Sequence, residues 1–187
     1  MTRALAVLVL GLATAHADRA RALVVVPQVS NAITCDGELD EIAWRTPART
    51  GPLIDVRGEI AAPYADARFL RDGTNLYLAL YAADEDVRAT DSFVVTFRSG
   101  ASRKLITFTA GGAMVPAVEN AHMSVDIDGT LDTPADDDEE WLVEASLPLT
   151  AIPFGRDGVV DVAVEHCDIT KDKVHRCSSW HGALRQR

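Results

Sequence analysis

Residues 33–44 read ITCDGELDEIAW, with the carboxylates Asp36, Glu38, Asp40 and Glu41 crowded between Cys35 and Trp44. Such crowding suits a reaction centre, a cation site or a turn, and the order of the side chains favours the turn. Asp bonds its own backbone two residues on and Gly takes a positive φ, so Asp36 and Gly37 read as turn formers. Asp40 is placed to cap a short helix whose first turn also gains from Glu41. Leu39, Ile42, Ala43 and Trp44 are then expected to seat this element on a core.

Upstream, MTRALAVLVLGLATAHA combines Arg3, an apolar run from Ala4 to Leu12 and small residues at Ala15 and Ala17. This is the pattern of a secretory signal peptide over residues 1–17, with a second cleavage choice after Ala22. Its apolar run falls short of the ~20 residues that a membrane span needs. The expectation is one exported domain, periplasmic or secreted, spanning residues 23–187. The formal net charge is -10, which argues against nucleic acid and anionic membrane as partners, because both require a basic patch. The 28 acidic side chains leave room for a bound cation.

Downstream, short alternating runs are bounded by Gly, Asp and Asn, the pattern of an antiparallel β-sandwich of immunoglobulin or jelly-roll size. ARFLRDGTNLYLALYAAD predicts a hairpin of 65–71 and 76–82 around a turn at Asp72, Gly73, Thr74 and Asn75. DSFVVTFRS places Phe93, Val95 and Phe97 on one face and pairs with RKLITFTA through a turn at 99–102. One strand is expected over Met114–Ile127, followed by a solvated acidic loop, DIDGTLDTPADDDEE. WLVEASLPL turns Trp141, Val143, Ala145 and Leu147 to one side and Glu144 and Ser146 to the other. A last hairpin, GVVDVAVEHCDI with VHRCSSW, leaves HGALRQR as a tail.

Three cysteines allow one disulfide. The favoured pair is Cys167–Cys177, which flanks the last hairpin and leaves Cys35 free; a bridge from Cys35 to either is the rival. His166, Cys167, His175 and Cys177 have the residue types of a zinc site, but adjacent strand residues point to opposite faces and an oxidised pair suits an exported chain better. DEDVRATD and DIDGTLD resemble calcium clusters without the EF-hand spacing, and a structural calcium near Asp84, Asp86 or Asp91 is the cofactor expectation. No carboxylate pair is spaced as a glycosidase requires, and G-x-S-x-G is absent. Trp44 and Trp141 read as core. Trp180, beside Ser178, Ser179 and His181, is the candidate platform for stacking on a sugar.

Four segments in order, ITCDGELDEIAW, ARFLRDGTNLYLALYAADEDV, DSFVVTF and WLVEASLPLTAI with the hairpin to SSW, resemble family 9 carbohydrate-binding modules. That resemblance implies a non-catalytic β-sandwich that binds saccharides, often beside glycoside hydrolases, and that in several members holds structural calcium. In the family two tryptophans sandwich the sugar. The first corresponds to Arg88 here, and the second, expected after Trp180, has no counterpart. The family's ligand-binding glutamate corresponds to Val94. The implied ligand-binding residues are thus Trp180, Arg88 and His181. Two alternatives accompany this reading: an interaction domain of the same fold that has lost the sugar site and binds a protein partner, and a haem-b-binding electron-transfer sandwich, for which Met114, His122, Met123 and His166 are available ligands.

Overall fold

A computed structural model describes residues 22–31, 33–135 and 137–186. The expected leader, residues 1–17, lies outside them, and Ala22 already opens the first strand. Eleven strands follow: β1 (Ala22–Val26), β2 (Ala48–Arg49), β3 (Ala65–Arg71), β4 (Asn75–Ala83), β5 (Ser92–Ser99), β6 (Ser102–Thr109), β7 (Met114–Val115), β8 (His122–Asp128), β9 (Glu140–Pro148), β10 (Val159–Ile169) and β11 (His175–Gln186). They form a six-stranded sheet, β1-β11-β10-β5-β6-β7, packed on a five-stranded sheet, β2-β3-β4-β9-β8. Every pairing is antiparallel except β1 with β11, which run parallel. The expected β-sandwich is therefore present, with one parallel edge added.

The core lies between the sheets and is built by the alternation read from the sequence. Phe93, Val95 and Phe97 on β5 and Val160, Val162 and Val164 on β10 face Phe69, Leu76, Leu78, Leu80, Trp141, Val143 and Leu147. Burying each such side chain contributes roughly 1.5–3 kcal/mol. The β3–β4 hairpin closes as expected. The Asp72 carboxylate accepts hydrogen bonds from the Thr74 and Asn75 amides at 2.6 and 2.7 Å and from the Tyr77 hydroxyl at 2.6 Å. Partial burial raises its pKa, but these bonds outweigh that and bring it down to about 2.

ITCDGELDEIAW lies across the outer face of the five-stranded sheet, where Ile33 and Trp44 pack on Leu70, Tyr77, Ala79 and Leu142 as a second, smaller core. At its centre is Glu144, fully buried. Its Oε1 accepts the Trp44 indole N–H at 2.9 Å, and its Oε2 accepts the Asp36 and Gly37 amides at 3.1 and 3.2 Å. Glu144 stands in register with Ala79 on β4, whose small side chain leaves room for both carboxylate and indole. Gly37 has φ 101°, and a β-carbon there would come within 3.3 Å of the Asp126 side chain, so the turn needs glycine on both counts. Burial holds the Glu144 carboxyl up at about 7 and the Cys35 thiol at about 11.

Several sequence expectations are corrected. Asp40 caps nothing: the helical element is one 3-10 turn, Ile42–Arg45, bounded by Glu41 without a side-chain cap, and Glu41 instead accepts the Thr34 amide at 2.9 Å. Ile42 is 76% exposed rather than seated on the core, because at three residues per turn it shares its outward face with Arg45. Glu144 and Ser146 are buried, because residues 33–44 cover them. Residues 114–127 do not form one strand. β7 closes one sheet and β8 the other, and Pro116 between them has no N–H for a ladder. The acidic segment is not wholly solvated: Asp126–Asp128 belongs to β8, and Asp138 is buried, accepting the Val87 and Thr130 amides at 2.7 Å each. The tail after SSW continues β11 to Gln186 between β10 and β1.

Candidate functional site

The outer face of the six-stranded sheet carries a groove of about 960 Å³. Strand register arranges its floor in rows. One end holds Asp161, Arg98 and Arg103 on β10, β5 and β6; the middle holds His181, Ala163, Thr96 and Leu105; the other end holds Ser179, Glu165 and Val94. Small Ala163 and Thr96 between longer side chains give the trough its depth. One wall is the loop in which Ile54 bridges both Ile60 and Ser179. Asp55 shapes that loop by accepting the Arg57 and Glu59 amides at 2.8 and 3.0 Å, and Val56 projects from it almost fully exposed.

Of the sequence-predicted ligand residues, His181 stands on the groove floor, whereas Trp180 borders the groove from the inward side of β11, in register with the core residue Val164. Trp180 is half-buried against the principal core, and Gly182 makes room for its ring: a β-carbon on Gly182 would come within 2.3 Å of the indole. Arg88 is placed elsewhere, at one end of the sandwich, ion-paired with Asp86. Arg98, Arg103, Thr96, Ala163 and Glu165 were missed. Their signal was available in the outward positions that alternate with Phe93, Val95, Phe97 and with Val160, Val162, Val164.

Asp84 lies near enough to Asp86, Asp91, Asp138 and Asp168 to interact with each electrostatically, and all five are at most 5% exposed. Asp91 accepts the Arg88 and Ile169 amides at 2.7 and 3.2 Å, tying this loop to the end of β10. Burial, reinforced by Asp84, pushes Asp91 up to about 7 and Asp168 up to about 6. Asp84 Oδ2, Asp86 Oδ1 and Asp168 Oδ2 are buried without a hydrogen-bond partner. Orphaned carboxylate oxygens fit the chemistry of a hard cation. Among the described residues no three His, Cys, Asp or Glu side chains converge tightly enough to hold an ion by themselves, so part of a calcium shell would have to come from backbone carbonyls and water.

Cys167 and Cys177 are direct cross-strand partners joined by a disulfide, and Cys35 is free. Their thiolates are therefore not available to the zinc site considered above. The candidate haem ligands sit apart: Met114 on β7, His122 and Met123 on successive positions of β8, and His166 on β10. His166 is buried against Phe93 and Trp141, at ring-centroid distances of 4.7 and 5.9 Å, and burial lowers its pKa to about 4. It lines a second cavity, of about 590 Å³, together with Asp168 and Ser178.

No family model matches the chain, and no curated protein matches it. Solved structures do. Two are of a family 9 carbohydrate-binding module from Caldicellulosiruptor kristjanssonii, one in complex with cellotriose (TM-score 0.66, 12% identity, 89% of this chain and 94% of that one) and one with glucose (TM-score 0.66, 13% identity, 89% and 96%). A third, from Bacteroides uniformis, is described as a candidate carbohydrate-binding protein (TM-score 0.62, 16% identity, 88% and 99%). The chain thus has the fold of the family 9 carbohydrate-binding modules.

Proposed function

We propose that this chain is an exported, non-catalytic carbohydrate-binding domain whose ligand lies in the groove of the six-stranded sheet, with a role beside enzymes of polysaccharide degradation. The observation that carries the reading is the groove itself. It is open along the sheet, of a size for a few sugar rings, floored by small residues and flanked by hydroxyl, carboxylate, guanidinium and imidazole groups. A module of the same fold has been solved in complex with cellotriose and with glucose, which makes a saccharide the first ligand to test. The leader sequence and the disulfide favour export to the periplasm or beyond.

Of the tryptophans, Trp180 borders the groove from the inward side of β11, close enough to report on it, while Trp44 and Trp141 are buried. Titration with cello- and xylo-oligosaccharides is expected to change the intrinsic fluorescence, and Trp180→Phe is expected to remove that change. A wild-type signal and melting temperature that ignore every glycan would overturn the reading. A protein-binding role draws on one specific feature, the exposed Val56 and Ile60 of the loop beside the groove. It would show as binding that survives blockage of the groove and fails when both residues become serine.

The acidic end is assigned to a structural calcium held in part by Asp84, Asp86 and Asp168. The ion would supply positive charge where buried carboxylates now repel one another. Asp91, with both oxygens bonded to backbone amides, orients the loop.

A further inference from the structure

Arg98 and Arg103 face each other directly across β5 and β6. Directly opposed cross-strand residues have β-carbons roughly 4.5–5.5 Å apart, and like charges in that relation are destabilising. The chain has 28 acidic side chains for 18 lysines and arginines, yet among the described residues neither guanidinium forms an ion pair or a side-chain hydrogen bond. Asp161 stands in the strand next to Arg98, whereas Arg103, on the far side, has no carboxylate across from it: its row partner is Arg98 alone. Both arginines are exposed and both line the groove. Among the described residues that line the groove, the only other positively chargeable one is His181; the carboxylates are Asp161 beside Arg98, Asp55 on the wall and Glu165 at the opposite end, so that Arg103 is the cation farthest from any carboxylate of the rows.

A guanidinium matches a carboxylate with two parallel N–H···O bonds. Two of them held side by side form a receptor for one carboxylate, or for carboxylates on successive sugar rings, while Glu165 can accept hydrogen bonds from hydroxyl groups at the other end. Resting on the carbohydrate reading above, we infer that the groove selects a uronic acid-bearing saccharide over a neutral one, and that Arg98 and Arg103 bind its carboxylate. The ligand relieves the repulsion between the arginines, which gives the pairing a purpose that a solvated surface does not need. A sulfate ester carries the same charge in a tetrahedral arrangement, and the planar fork favours the carboxylate.

The test is calorimetric titration of the full chain with trigalacturonate, cellotriose and a sulfated oligosaccharide of similar length. Trigalacturonate is expected to bind about tenfold tighter than cellotriose at low ionic strength, with the advantage shrinking as salt is added. In Arg98→Gln/Arg103→Gln, whose folding is checked by its melting temperature, the preference is expected to fall to parity. Cellotriose binding as tightly as trigalacturonate overturns the inference and leaves the carbohydrate reading standing. Tighter binding of the sulfated ligand overturns the assignment to carboxylate, and a preference that persists in the double variant overturns the assignment to these arginines. If no saccharide binds, the carbohydrate reading itself has failed.

Discussion

The outer face of the five-stranded sheet is roofed by residues 33–44, whereas the outer face of the six-stranded sheet is open between the loop around Val56 and strand β6. Both faces hold a central carboxylate-bearing strand, β9 in one and β10 in the other. On β9, Glu144 is fully buried and held by three N–H donors of the roof; on β10, Glu165 is exposed at the rim of a trough. The comparison separates two uses of the same architecture. One face has been closed by chain for stability, and the other left free for a ligand. Substitutions on the closed face should therefore change stability, and substitutions on the open face should change binding.

The largest effect is expected at Trp44. Trp44→Ala removes the buried indole and leaves Glu144 short of a donor, for a loss of about 3–5 kcal/mol in chemical denaturation; Trp44→Phe, which restores most of the packing, should lose about 1–3 kcal/mol. A loss below 1 kcal/mol for the alanine variant would mean that the roof contributes little.

Next comes the pH dependence carried by Glu144. Its folded pKa, about 7, lies above its ordinary value of 4.5, so between those values the folded state binds more protons than the unfolded one. This group's contribution is complete below pH 4.5 and is lost as pH rises through 7, by about 3 kcal/mol at about 1.4 kcal/mol per pKa unit. Subtracting the denaturation profile of Glu144→Gln from that of the wild type isolates this slope. A difference profile that is flat from pH 4.5 to 8 contradicts the burial of an ionisable Glu144.

The disulfide should matter by a similar or smaller amount. Cys167 and Cys177 are 10 residues apart, and loop-closure entropy predicts a loss of up to about 3 kcal/mol in Cys167→Ser/Cys177→Ser. Under denaturing, non-reducing conditions the wild type should titrate as one thiol. In the native state Cys35, with its raised pKa, should react slowly with thiol reagents near neutral pH.

Smallest in stability is the open face. Ala163→Phe fills the middle row of the groove and should alter stability by no more than about 0.5 kcal/mol, while abolishing glycan binding. The calcium proposed for the acidic end is independent of both faces. It should raise the melting temperature at pH 8 relative to a chelator, and more so than at pH 5, where the raised pKa values of Asp91 and Asp168 keep them partly protonated.

Much of this division was legible in the sequence, and most of the illegible part has a common cause. The Asp72–Asn75 hairpin, the strand of Phe93, Val95 and Phe97, and the Cys167–Cys177 pair follow from local alternation and turn chemistry. Glu144 reads locally as a solvent-facing residue of an amphipathic strand; only the return of a segment 100 residues earlier buries it. The roof itself announced its turn through Asp36 and Gly37, but its four carboxylates said nothing of the fifth that organises it. Likewise Arg98 and Arg103 are ordinary polar positions until register sets them opposite each other. Long-range pairing, which alternation does not encode, placed Glu144 and the arginines, whereas Asp40 and Ile42 were decided locally, by one 3-10 turn where a longer helix was expected.

The most direct measurement is backbone-amide chemical-shift mapping during titration with an oligosaccharide. The account predicts shifts concentrated at Thr96, Arg98, Leu105, Ala163 and His181, with residues 33–44 unmoved. Shifts that gather on residues 33–44 or around His166 and Ser178, or that fail to appear with neutral and acidic oligosaccharides alike, would contradict it.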